Sequence, residues 1–240
     1  GAATTYPAGT CLAVSHLRFE FHGKPAHAAG DPWDGANALN AVIKLFTAID
    51  ALRQHVKPEV RIHGIITHGG DAPNVVPHYA AAEFYVRAGS RDYVRALEEK
   101  LRRIAEGAAL MTETTAEVTQ PFPTYYDERP SYVLGTRYTE HMRAVGLEIT
   151  PEATTRGSYS TDFGNVSYLV PAVTGSFAIS RTPIPGHSPE VVAAACSDYG
   201  TQQMLKVAKA MARTALDLFT EPALLAAAKD EQAHWSERYA

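Results

Sequence analysis

His187 lies in Pro183-Ile184-Pro185-Gly186-His187-Ser188-Pro189-Glu190, where prolines stiffen a loop just ahead of a predicted helix and would hold a ligating side chain in place. A histidine there serves either as a metal ligand or as a capping or surface residue. Hydrolytic metal sites need about three His, Asp or Glu ligands around an open position. The chain has no HExxH, no HxD and no strand-borne Glu-Glu pair, and Glu98-Glu99 falls on the solvent face of a predicted helix. His27, in Gly23-Lys24-Pro25-Ala26-His27-Ala28-Ala29, has small neighbours that admit another molecule. Its imidazole can donate to a developing oxyanion or bond nearby backbone. Asn74 sits in the turn from Gly69 to Pro77 and serves either a ligand or its own turn. Arg87, closing Phe84-Tyr85-Val86-Arg87, can grip a carboxylate bidentately or simply charge a strand end. Neither GxSxG nor GxxxxGK[ST] occurs, which argues against acyl-enzyme and nucleotide chemistry.

The elements that must hold these residues follow from periodicity. Ala13 to Phe21 alternates, with Leu17, Phe19 and Phe21 on one face and His16, Arg18 and Glu20 on the other, which predicts a half-buried strand. Leu39, Val42, Ile43, Phe46, Ile49 and Leu52 recur at helical spacing and predict a helix from Asp34 to Val56. Strands follow around Val60–Ile66 and Tyr79–Val86, then a helix through Val94, Leu97, Leu101, Ile104 and Ala108, then a strand from Thr114 to Thr119. This order is the split βαβ arrangement, an antiparallel sheet with both helices on one face. It predicts an α+β, ferredoxin-like (βαββαβ) domain over residues 13–121, with a boundary at Pro121-Phe122-Pro123 and a second piece over residues 122–240. That piece reads as a helix from Ser131 to Val145, short strands at Val166–Val170 and Phe177–Ile179, a long helix from Pro189 to Phe219 and another from Glu221 to Tyr239.

The chain's 240 residues are 45% apolar and 20% charged, with a net charge of −4, so disorder is excluded and nucleic acid and anionic membrane are unfavoured partners. No apolar run reaches the roughly 20 residues of a bilayer span, and the start lacks a signal pattern, so a cytoplasmic location is expected. Cys11 and Cys196 stand far apart and are expected to be reduced. The first residue is Gly, as in a fragment of a longer protein.

The ordered motifs Gly-Lys-Pro-Ala-His-Ala-Ala, Asp-Pro-Trp-Asp-Gly-Ala-Asn-Ala-Leu, Gly-Gly-Asp-Ala-Pro-Asn-Val-Val-Pro, Ser-Thr-Asp-Phe-Gly-Asn-Val-Ser and Gly-His-Ser-Pro-Glu resemble the aminoacylase and carboxypeptidase type of metallopeptidases. Within it, the chain is most similar to the branch of aminobenzoyl-glutamate hydrolases and β-alanyl-lysine type dipeptidases. The resemblance runs from Leu17 to Leu225. It implies a ferredoxin-like lid that forms a homodimer, followed by the C-terminal part of an α/β zinc-peptidase-like catalytic domain. The exposed edge strand points to the same dimer. By resemblance, His187 is the C-terminal metal ligand, and His27 reaches the partner subunit's site to polarise the scissile carbonyl. Asn74 and Arg87 hold the substrate's carboxylate or amide, and Ser160-Thr161-Asp162 lines the cleft. The implied substrate is a small N-acyl amino acid or dipeptide, and the complete enzyme uses two divalent metal ions, zinc or manganese. The family's other metal ligands lie upstream of the lid, and nothing before Ala13 supplies them. The chain alone is therefore expected to hold no metal stably and to be inactive. The alternative is a noncatalytic dimerisation or binding module derived from such an enzyme. Tyr159 stands where relatives usually have Gly.

Overall fold

The computed structural model describes residue 5, residues 8–150, residue 157 and residues 159–239. The chain forms two compact units, Leu12–Asp127 and Glu128–Ala240 with Gly1–Cys11.

In the first unit alternation dictates the sheet. β1 (Ala13–His22) buries Leu17, Phe19 and Phe21 and leaves Arg18 and Glu20 part-exposed on the other face. β2 (Arg61–His68), β3 (Tyr79–Ala88) and β4 (Thr115–Thr119) complete an antiparallel sheet of order β2-β3-β1-β4. α1 (Ala38–Leu52) joins β1 to β2, and α2 (Arg91–Thr112) joins β3 to β4. Val42, Leu45 and Ile49 of α1 and Val94, Leu97 and Leu101 of α2 share one buried cluster with Phe19 and Phe84. Both helices thus cover the same sheet face, and the unit is the ferredoxin-like βαββαβ fold. α1 holds the whole apolar stripe but is shorter than the helix predicted over Asp34–Val56, because Asn37 caps it, accepting from Asn40 N at 3.1 Å, and Arg53–His55 tightens into a 3-10 turn. Ser90 caps α2 in the same way.

The second unit is helical: α3 (Tyr132–Ala144), α4 (Phe163–Ser167), α5 (Pro189–Ala195), α6 (Asp198–Thr220), α7 (Pro222–Ala233) and α8 (Trp235–Tyr239). Its apolar centre joins Tyr138 and Met142 of α3 to Val207 and Ala210 of α6. The strands predicted at Val166–Val170 and Phe177–Ile179 are not formed. The first spans the end of α4 and the turn after it, with the Ser167 hydroxyl donating to Gly164 O at 2.6 Å, and in the second Ala178 N donates to Thr5 Oγ1 at 3.0 Å. The long helix predicted over Pro189–Phe219 breaks between α5 and α6. Ser197 donates to Ala194 O and accepts from Gly200 N, ending one helix and capping the next. The helix predicted over Glu221–Tyr239 likewise divides into α7 and α8 at His234.

Two polar contacts organise this unit. Glu231, only 1% exposed, accepts from Ser131 Oγ at 2.6 Å and from the backbone N–H of Tyr132 and Val133, so a carboxylate from α7 caps the positive end of α3. Arg137 of α3 bonds Asp217 and Glu221, and His141 bonds Asp217 at 2.7 Å.

Replacing Phe19 by Ala empties the centre of the sheet core, so urea unfolding of the chain will show a loss of about 3–5 kcal/mol. His141 and then Arg137 hold the Asp217 carboxyl below its ordinary range. A lowered folded-state value means stability that is full above the unfolded value and is lost as pH falls through the folded one. Asp217→Asn therefore lowers the denaturation midpoint at neutral pH, and the gap from wild type closes on acidification below the carboxylate range.

Candidate functional site

Gly23 follows β1, and there a close approach of the chain leaves no room for a side chain: a Cβ would stand 2.0 Å from Ala36 O. The segment beyond it pairs with the turn that precedes β3. Val76 N donates to Ala26 O and Ala28 N to Asn74 O, both at 3.0 Å, which fixes His27 opposite Val75 and brings His27 and Asn74 to one corner of the unit. Both residues are exposed. His27 Nδ1 accepts from the backbone N–H of Ala29 and Gly30, at 3.2 and 3.0 Å. Its proton therefore sits on Nε2, which is left as a hydrogen-bond donor. Asp31 Oδ1 closes the loop by accepting from His27 N at 3.1 Å. The Asn74 carboxamide makes no hydrogen bond among the described residues, so it is not spent on its own turn.

Arg87 lies elsewhere. It stands eight residues beyond Tyr79 along β3, which at about 3.3 Å per residue puts it about 26 Å from that end of the strand. On the sheet face opposite the helices its Nε donates to His63 Nε2 at 3.4 Å, and its guanidinium carbon lies 5.8 Å from the Tyr85 ring centre. His63 stacks on Tyr85 at 5.7 Å, and His16 stacks on the same tyrosine at 4.6 Å. Burial, then Arg87 and Arg53, lowers the pKa of His63 and favours its neutral form. Sequence reasoning passed over His63, and its only signal is the register that sets His63 opposite Tyr85 and Arg61 opposite Arg87.

In the second unit, Ser160, Thr161 and Asp162 lead into α4, with Thr161 Oγ1 accepting from Phe163 N at 3.3 Å. The Tyr159 ring lies against Gly157, where a Cβ would come within 2.1 Å of it, so the tyrosine is accommodated by a glycine two residues earlier. His187 is exposed with φ 55, a left-handed conformation uncommon outside glycine and asparagine, and Ser188, not His187, stands at the start of α5. His187 makes no hydrogen bond among the described residues, and none joins it to residues 160–162. Among the described residues no three His, Cys, Asp or Glu side chains come together in a way that could hold a metal ion. The described residues therefore do not fit a metal by themselves. Nor is any described helix long and apolar enough to cross a membrane.

Residues 14–113 match the model of the peptidase dimerisation domain. The chain is 39% identical over 222 residues to Xaa-Arg dipeptidase of Mus musculus, covering 92% of this chain and 51% of that protein. It is 28% identical to one of the subunits of p-aminobenzoyl-glutamate hydrolase from Escherichia coli, covering 92% of this chain and 57% of that one. Among solved structures, an aminobenzoyl-glutamate utilization protein from Klebsiella pneumoniae superposes with a TM-score of 0.56 at 23% identity, over 71% of this chain and 43% of that one. The chain spans about half the length of the curated relatives it matches.

Nitrogen-15 NMR of the chain at neutral pH will find His27 protonated on Nε2 and bare on Nδ1; the reverse tautomer would contradict the loop geometry.

Proposed function

The chain belongs to the aminoacylase and carboxypeptidase type of metallopeptidases, in the branch of aminobenzoyl-glutamate hydrolases and dipeptidases, and on that premise we propose that it is the lid and C-terminal part of a metal-dependent amidohydrolase. The substrate is a small N-acyl amino acid or dipeptide. The observation that carries this reading is the 39% identity to a dipeptidase, sustained over 92% of the chain.

Each residue then has a part. The His27 Nε2–H donates to the scissile carbonyl oxygen as it gains negative charge, and its fixed tautomer means no proton has to move first. Asn74, from the same corner, bonds the substrate's amide or carboxylate. Arg87 grips a carboxylate. Ser160, Thr161 and Asp162 line the cleft, and His187 provides one metal ligand. The remaining ligands for two zinc or manganese ions belong to polypeptide outside this chain, so the chain alone is inactive. When bound, the metals supply a water activated for attack on the amide.

The separation of Arg87 from the His27 corner bears on assembly. A small substrate cannot touch both ends of one β3. A homodimer in which each substrate meets His27 and Asn74 of one copy and Arg87 of the other accommodates both. β2 supplies an open edge for pairing, with Ile65 65% exposed.

The complete protein, supplied with zinc or manganese, will cleave members of an N-acyl amino acid and dipeptide panel. No cleavage across the panel would overturn the reading and leave a noncatalytic dimerisation module. In the active protein His27→Ala will lower kcat about 10²-fold, and an unchanged kcat would remove His27 from the mechanism.

A further inference from the structure

Packing in the second unit leaves a cavity of about 530 Å³ between the segment that follows α3, the segment around Ala178 and the first half of α6. Gly146 takes φ 73 and ends α3, its N–H donating to Arg143 O, and Leu147 then turns into the apolar centre with Met142 and Val207. Thr5 ties the other walls together. It exchanges hydrogen bonds with Thr150, and its Oγ1 accepts from Ala178 N at 3.0 Å. The cavity is therefore framed by backbone pairing and by buried apolar residues.

Its lining is polar and charged. Tyr199, Gln202, Gln203 and Lys206 stand three or four residues apart on one face of α6. Arg181 lies over the Tyr199 ring, its guanidinium carbon 4.6 Å from the ring centre, and makes no hydrogen bond or ion pair among the described residues. Its N–H donors are unspent. Lys206 Nζ donates to Gly146 O at 2.9 Å, which orients the ammonium group without cancelling its charge. The carboxamides of Gln202 and Gln203 make no hydrogen bond among the described residues. Glu148 lines the same cavity, and no ion pair joins it to either cation.

Cations and a carboxylate that share a cavity without pairing call for a ligand of both signs. A simple anion such as phosphate meets Arg181 and Lys206 but is repelled by Glu148. A zwitterion satisfies all three, and the carboxamides of Gln202 and Gln203 offer donors and acceptors to a polar side chain. The volume falls in the range of small-molecule sites and leaves room for that side chain. We propose that this cavity binds a polar α-amino acid, its carboxylate on the Arg181 fork and Lys206 and its ammonium group on Glu148.

The test is isothermal titration of the complete protein with L-glutamine, with its desamino analogue, which lacks the ammonium group, and with its decarboxy analogue, which lacks the carboxylate. Wild type is expected to bind glutamine ~10-fold more tightly than either analogue. Arg181→Gln is expected to weaken glutamine binding ~10-fold, and Glu148→Gln ~5-fold. For the desamino analogue Glu148→Gln acts in the opposite direction and tightens binding, since it removes a like charge. Arg181 and Glu148 are exposed, so their variants leave the core intact, and the two analogues test the wild type without any substitution. No binding of glutamine, equal binding of the desamino analogue, or an unchanged Kd in Arg181→Gln overturns the proposal. Binding of inorganic phosphate that strengthens in Glu148→Gln, with glutamine silent, also overturns it and leaves a simple anion site.

Discussion

Every side chain that the first unit offers to chemistry stands where it does because Leu17, Phe19 and Phe21 must stay out of water. All three are fully buried in the middle of β1, which is itself the strand flanked by β3 and β4. Side chains alternate along a strand, so a slip of one residue would turn those three outward and every partner on the open face inward. The buried face therefore fixes the register of β3, and β3 fixes β2. That chain of pairings places Arg87 and His63 on the open face, and it delivers the chain at Gly23 to the corner where His27 and Asn74 meet. The open face is set by residues buried on the opposite one.

This is why the first unit was legible from sequence. The two-residue period of β1 and the stepping of Val94, Leu97 and Leu101 in α2 are strong signals, because one face of each element lies in the same core. In the second unit the signals were weaker. A short apolar run such as Val166–Val170 suits a strand and a helical turn alike by periodicity, and only the Ser167 bond to Gly164 O shows which one forms. The break at Ser197 did carry a cue, a serine followed by an aspartate, but the apolar spacing on either side outweighed it. Glu231 gave none, since a carboxylate that caps a helix some 100 residues earlier is invisible to any local pattern. His63 was hidden for the same reason, because its link to Arg87 spans 24 residues and exists only through strand pairing.

The candidate site residues share a physical style. His27 has its ring fixed by two backbone N–H groups, and Arg87 has its guanidinium bonded by a neutral imidazole and lying over an aromatic ring. For His27 those backbone groups leave the Nε2–H as a donor to be directed at something else, the preorganisation that electrostatic catalysis requires. His187 differs, standing exposed in a proline-stiffened loop with no co-ligand among the described residues. The described residues thus carry an ordered donor at the His27 corner of the first unit and one exposed histidine, His187, in the second, and on the proposed reading a longer polypeptide and a second copy complete the set.

Subunit mixing tests that claim most directly. Complete protein carrying His27→Ala and complete protein carrying His187→Ala are each expected to be inactive as homodimers. In a dimer that shares residues across its two-fold axis, a mixed pair keeps one intact site, so random re-pairing of equal amounts should recover about a quarter of wild-type activity. No recovery, with exchange of subunits confirmed by native mass spectrometry, would mean that His27 does not serve the partner's site and would contradict the account.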